Sequence, residues 1–374
     1  MKKILFLFVL LLNFSNSHAC LNYYYSIDHE GHFHDAEGLK THFNINFNPR
    51  TLEAEIKKNA DKLKTTKDYK WLSNYAVLLL KAGRTKEALD LLEQLSLKHL
   101  DEYQIAANLG TAYELSGNVE KALEYIKRGV ELNPNAHDGS EWVHVKLLEA
   151  KLKLQSDPNY LTKNTVLNLS ANQKKDLKVR QQLMIQIRER FPFCKGPDPI
   201  MASLLIDLGD CYAQTTSIEY AKALYEIALN YYGAPAKVAD PKIKEMKELL
   251  RQYSNLKVNQ WKLNDQNLYE GLDGEHNRIS GIKYTTLLDD NNPSKYTINW
   301  SGIQLNTDSL LAYAQIERVV PPPVKADSVE VKSSAAPRAT QGTTKVSLTL
   351  WIYLLIGGFA VLGIAIIAYI RKRN

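Results

Sequence analysis

Cysteine is nearly missing from this chain, with three in 374 residues, which excludes a disulfide-dense secreted scaffold. Catalytic signatures are missing as well. The sequence contains no GxSxG elbow, no Walker glycine loop and no dinucleotide fingerprint, and Cys194 with any histidine is too unspecific a pair to define a nucleophile. Surplus charge is scarcer than the pI of 8.9 implies. Of the net +6, five charges come from Lys2, Lys3, Arg371, Lys372 and Arg373 in acid-free ends, leaving +1 for residues 20–349. A nearly neutral body lacks the electrostatic footprint of phosphate binding, so no nucleic-acid partner is expected. Compositional bias is also lacking: 45% hydrophobic, 9% aromatic and 24% charged residues describe a folded protein, not a disordered or collagen-like one. The length allows two domains, or one repeat array with appendages.

The two ends carry addressing signals. Lys2 and Lys3 precede nine apolar residues (4–12), and Ser17 and Ala19 stand at the two sites that a signal peptidase inspects, so 1–19 reads as a secretory signal peptide. Cleavage there makes Cys20 the first mature residue and a candidate for lipidation, although Ser17 and His18 depart from a lipobox. Residues 350–370 are 21 without a charge, enough for a membrane-spanning helix. Trp351, Tyr353 and Tyr369 lie near its edges, and the basic tail 371–374 follows as a cytoplasmic stop. The expected topology is single-pass in the cell membrane of a bacterial envelope, with the body outside the cytoplasm (periplasmic if the cell is Gram-negative). In that compartment a Cys194–Cys211 disulfide is chemically permitted, with two free thiols as the other reading.

Between the ends the sequence repeats. Superposing the segment from Tyr69 on that from Tyr103 puts Gly83 on Gly117, 34 apart, with Ala76 on Gly110, Leu79 on Tyr113 and Ala88 on Ala122. Apolar residues three or four apart on either side of a glycine predict two amphipathic helices joined by a tight turn. The small residues Ala76, Gly110, Ala88 and Ala122 mark where the helices of each hairpin approach.

This pattern resembles the tetratricopeptide repeat (TPR) family, whose period is about 34. Leu109, Gly110, Tyr113, Gly117, Ala122 and Pro134 carry the likeness, and Leu208, Gly209, Tyr212, Ala221 and Ala228 continue it, with Thr216 in place of the turn glycine. The resemblance implies an all-α solenoid, a right-handed superhelix of hairpins, over 49–257. Clear repeats are expected at 69–102, 103–136 and 202–235. An atypical unit at 137–190 has an inserted loop and carries His144 where a small residue belongs. Asp240-Pro241 is expected to open a capping helix. Residues 258–318 predict a small mixed or irregular element, and 319–349, with no aromatic residue and three consecutive prolines, a disordered stalk.

The resemblance also implies a function: solenoids of this kind present a concave groove that binds proteins or peptides. Asn74 and Asn108 occupy the place where first-helix asparagines meet a ligand backbone. Lys70, Ser73, Thr111, Glu114, Asp138, Trp142 and Asp207 are expected on the same face. Ser73, Asp138 and Trp142 stand where a chaperone-type carboxylate clamp needs Lys or Arg, so no such ligand is expected. A non-catalytic scaffold or adaptor follows, without cofactor, for an envelope protein or peptide partner.

The segment 20–48 supports a second reading. It gathers His29, His32 and His34 among carboxylates, which would suit a metal-binding envelope enzyme or sensor. The spacing fits HExxH poorly, and a β-hairpin with strand 23–27, a turn at Glu30-Gly31 and Phe33 in the second strand accounts for the same residues.

Overall fold

The computed structural model describes residues 24–43, 49–99, 101–256, 262–272, 278–279, 288, 297–303 and 306–319. They fall in one compact unit, Met1–Val320. The expected signal peptide, Cys20 lipidation, stalk beyond Val319, membrane-spanning segment 350–370 and tail 371–374 lie outside the described residues. Among the described residues, no helix is long and apolar enough to cross a membrane.

The chain opens with β1 (Tyr24–Ile27), β2 (Phe33–Ala36) and a short α1 (Leu39–His42). Helices then follow in sequence: α2 (Pro49–Leu63), α3 (Tyr69–Lys81), α4 (Thr85–Ser96), α5 (Tyr103–Ser116), α6 (Val119–Leu132), α7 (Ala136–Gly139), α8 (Glu141–Ser156), α9 (Ala171–Lys174), α10 (Leu177–Arg190), α11 (Pro199–Thr215), α12 (Ile218–Asn230) and α13 (Ala236–Gln252). Single 3-10 turns at Tyr160–Thr162 and Tyr253–Asn255, a two-residue pair of β3 (Gly271–Leu272) with β4 (Arg278–Ile279), and α14 (Thr307–Tyr313) complete the described elements.

Helices α3 with α4, α5 with α6, and α11 with α12 form hairpins, and α4 packs in turn on α5 and α6 on α8. The local reasons are visible in the second hairpin. Val119, Ala122, Ile126 and Gly129 of α6 recur every three or four residues and are all buried against α5. The Asn118 side chain caps the helix by accepting the Lys121 N–H at 3.1 Å. Before it, Gly117 ends α5 at φ +87°, in left-handed backbone that a side chain would strain. Each fully buried Leu or Ile along this stack contributes about 1.5–3 kcal/mol. Ala76, Ala88, Leu109, Ala122, Leu208 and Ala221 are completely buried, and Tyr113 and Tyr212 nearly so.

Three helix boundaries differ from the sequence reading. The second helix that the spacing of Leu177, Leu183 and Ile187 predicts for the atypical unit, over about 172–190, is broken into α9 and α10, because Asp176 caps a new start by accepting the Lys178 N–H at 2.8 Å. Helix α11 starts at Pro199, where Asp198 accepts the Ile200 and Met201 N–H groups, each at 2.9 Å. Helix α13 does not open at Asp240-Pro241. It begins at Ala236, where the Pro235 carbonyl accepts the Val238 and Ala239 N–H groups, and it carries Pro241 within it.

The N-terminal hairpin has the register Tyr24↔Ala36 to Ile27↔Phe33. It is not a free surface hairpin, because Ser26 and Ile27 are buried. Ile27 N–H donates to Glu219 Oε2 of α12 at 3.0 Å, and Ser26 Oγ to the Thr216 carbonyl at 2.9 Å. Residues 262–272 cover its other side: Leu263 N–H donates to the Tyr25 carbonyl (2.8 Å) and Leu39 N–H to that of Leu268 (2.7 Å). Farther along, Arg318 forks onto Asp90 of α4 at 2.9 and 2.7 Å. The Gln94 side-chain amide pairs with the backbone of Val319, its Oε1 accepting the Val319 N–H at 2.8 Å and its Nε2 donating to the Val319 carbonyl at 3.1 Å. The described parts of 258–318 are therefore straps along the helices.

Candidate functional site

A concave cavity of about 700 Å³ opens along α3, α5 and α8, with α2 on one side and the end of α10 on the other. A second hollow of about 430 Å³ adjoins it, lined by Trp71, Asn74, Tyr103, Gln104 and Asn108. Asn108 and His137 belong to both. Successive first helices put their side chains here because each hairpin turns its small-residue face toward its own second helix, leaving the opposite face to solvent.

The floor is a buried ionic network. Glu114 of α5 receives Arg190 Nη1 and Nη2 at 2.9 and 3.2 Å and Lys151 Nζ at 2.7 Å, while His144 Nε2 lies 2.7 Å away. Burial by itself would raise the Glu114 carboxyl, but Arg190, His144 and Lys151 hold it well below the usual range. Beside it, Glu141 accepts the Tyr103 hydroxyl at 3.0 Å and lies 2.7 Å from His137 Nδ1. Burial again opposes ionisation of Glu141, and hydrogen bonds from His137 and His144 outweigh it, lowering its pKa. The same hydrogen bond raises the pKa of His137. Glu114 thus ties α5 to α8 and, across the cavity, to α10.

The expected groove residues separate into three groups. Asn74, Asn108, Thr111 and Glu114 line the cavities. Ser73 is buried just behind them and accepts the Asn108 amide at 3.0 Å. The others lie elsewhere. Lys70 is exposed in the first turn of α3, and Asp138 occupies a left-handed turn at φ 60°, its carbonyl accepting from Gln182. Trp142 turns to α10, donating Nε1–H to Gln182 Oε1 at 2.8 Å. Asp207 is only 1% exposed and lies beneath the inserted loop, whose Leu167 N–H donates to its Oδ2 at 3.2 Å. It does not reach the groove, because the insertion fills the space in front of α11.

Sequence reasoning missed Lys151, Arg190, His137 and Glu141. His144 was a usable signal: an imidazole at a small-residue position in a helix interface must find a polar partner. Arg190 had none, since the atypical unit has no repeat register to place it.

Cys194 and Cys211 are both free thiols, so the permitted disulfide is not formed. Cys194 sits beside Arg190 and Asp198, whereas Cys211 sits between Asp207, Asp210 and Lys174. Burial pushes both thiols up to about 12, making them poor nucleophiles. The histidines do not form a metal-ligand set either. His32 Nδ1 and His34 Nε2 both face one oxygen of Asp28, at 3.2 and 2.8 Å, and His29 turns away toward Glu245 at 3.8 Å. Among the described residues no group of three His, Cys, Asp or Glu is placed to hold a metal ion.

A tetratricopeptide repeat family model matches residues 79–146. Over that span the chain is similar to the tetratricopeptide repeat. The match runs from the last residues of α3 through α4 and both helices of the second hairpin into the start of α8, and so includes all of α5 but not α2, α10 or Asn74. Among curated proteins none matches the chain. Repeats of this type generally bind partner proteins or peptides and are typically non-catalytic.

Proposed function

We propose that this protein is a non-catalytic, membrane-anchored interaction scaffold of the bacterial envelope, which holds a partner protein or peptide in the groove of its repeats. The observation that carries this reading is the open cavity along α3, α5 and α8, with Asn74, Asn108 and Thr111 on its wall and an ion-paired floor at Glu114. Two properties suit it to an extended chain. Asn74 is exposed, and Asn108 is oriented by its bond to Ser73, so both amides can meet a ligand's backbone groups. The floor pairs every oxygen of Glu114, which keeps the cavity rigid without presenting a naked charge. Membrane anchorage and export rest on the signal-like 1–19 and the apolar run 350–370.

The groove is tested with a photo-crosslinking amino acid at position 111, and at exposed position 120 as control. A defined partner should be captured only from 111 and lost in Asn74→Ala/Asn108→Ala. Capture from both positions, or capture indifferent to the asparagines, overturns the groove assignment. Topology is tested separately with a phosphatase reporter, which should be active when fused after Thr349 and inactive after Asn374. The reverse pattern overturns the placement.

A further inference from the structure

Helices α5 and α11 can be set in register by their own packing. A methyl group added at Gly110 would lie 2.7 Å from Ile126 of the partner helix, and one at Gly209 would lie 2.4 Å from the Tyr225 ring. The two glycines therefore hold equivalent places at their hairpin contacts. Six residues before each stand Gln104 and Ser203, and two residues before each stand Asn108 and Asp207. On α5 this pair lines the open hollow.

On α11 the same two positions are occupied by the chain itself. Val166 N–H donates to Ser203 Oγ at 2.9 Å, and Leu167 N–H donates to Asp207 Oδ2 at 3.2 Å. The segment making these bonds, 163–170, is non-helical, and its apolar side chains Val166, Leu167 and Leu169 are 3%, 8% and 8% exposed. One place beyond Gly209, Asp210 receives Lys174 of α9 at 2.6 Å, which pins the end of the insertion. The segment is bent rather than extended, with Asn168 at φ 48° and Thr165 and Asn168 exchanging side-chain-to-backbone bonds at 3.1 and 2.8 Å, so that consecutive backbone N–H groups of one turn are set on two side chains one helical turn apart, with apolar residues packed beside them.

We propose that residues 163–170 are a built-in ligand: they occupy in cis the recognition face of α11, and that face selects a turn-forming segment with apolar side chains at the places of Val166, Leu167 and Leu169. A partner segment of this chemistry gains the face only by displacing the insertion. The open groove is thereby confined to α3, α5 and α8. This holds independently of the membrane placement and of what binds the open groove.

The test uses a fluorescent peptide of residues 163–170 (KNTVLNLS) and two full-length chains, the parent and one with 164–169 replaced by six Gly and Ser residues. Fluorescence anisotropy should show the replaced chain binding the peptide at least about tenfold tighter than the parent does, because the parent's face is already filled. A peptide with Leu167→Asp should bind the replaced chain at least about tenfold more weakly, since a buried carboxylate would find no partner there. A folded replaced chain that binds both peptides equally, or no better than the parent, overturns the proposal. If the replaced chain does not fold, hydrogen exchange decides. In the parent the Val166 and Leu167 amides should be protected, and Ser203→Ala should release Val166 while α5 and α6 stay unchanged. Unprotected amides in the parent, or a Val166 amide indifferent to Ser203→Ala, overturn it equally.

Discussion

Gly209→Ala tests the close approach of α11 to α12. The new methyl carbon would lie 2.4, 2.9 and 3.0 Å from three atoms of the Tyr225 ring. The ring has little freedom to yield: Tyr225 is 2% exposed, its hydroxyl donates to Asp210 at 2.7 Å, and Lys242 lies over its face. Two effects compete. Alanine is better than glycine in a helix interior by about 1 kcal/mol, whereas overpacking a filled core costs about 1–3 kcal/mol. If the ring turns to make room, a hydrogen bond to a charged acceptor goes as well, a further loss of about 1.5–3 kcal/mol. The net expectation is a loss of about 2 kcal/mol, which lowers the melting temperature of a chain this size by roughly 3 °C. Far-UV circular dichroism melts of the variant and parent at one pH measure it. A variant that melts at or above the parent temperature would refute the reasoning, because helix propensity alone would then be governing a position where α11 and α12 are not in contact.

Three further outcomes are expected. Ala122→Leu, at a fully buried position, should destabilise by about 1–3 kcal/mol, whereas exposed Glu120→Ala should stay within about 0.5 kcal/mol of the parent, both read from melts; equal melts would disprove the packing of α5 on α6. Glu114→Ala should cost about 3–5 kcal/mol by leaving Arg190 buried without its carboxylate, and denaturant titration showing a loss under 1 kcal/mol, well below that range, would show that the network is not structural. Burial raises the Asp207 pKa from 3.8 to about 7. Because the folded state keeps a proton that the unfolded state loses, stability should fall as pH rises from about 4 to about 7, on the order of 4 kcal/mol in all. Asp207→Asn should flatten that slope in denaturant titrations across the range, and an unchanged slope would contradict it.

The sequence by itself determined the repeated hairpins and their register. Gly83 and Gly117, with Ala76, Ala88, Gly110 and Ala122, encode turns and close approaches through local backbone and volume requirements, and those act within about one period of the chain. It also placed Asn74 of α3 and Asn108, Thr111 and Glu114 of α5 on the groove side of their helices, whereas Lys70, Ser73, Asp138, Trp142 and Asp207, expected on the same side, lie elsewhere. What lies across that face depended on residues far apart in the chain, and only the tertiary structure decided it. Arg190 meets Glu114 across 76 positions, and the insertion at 163–170 covers Asp207 across 40. The same long-range packing put Ile27 on Glu219 and Arg318 on Asp90, so that segments lacking helical periodicity became straps on the solenoid. Periodicity encodes which side of a helix is buried. It does not encode which distant backbone donors and charges will be taken from water to satisfy the polar groups on the other side.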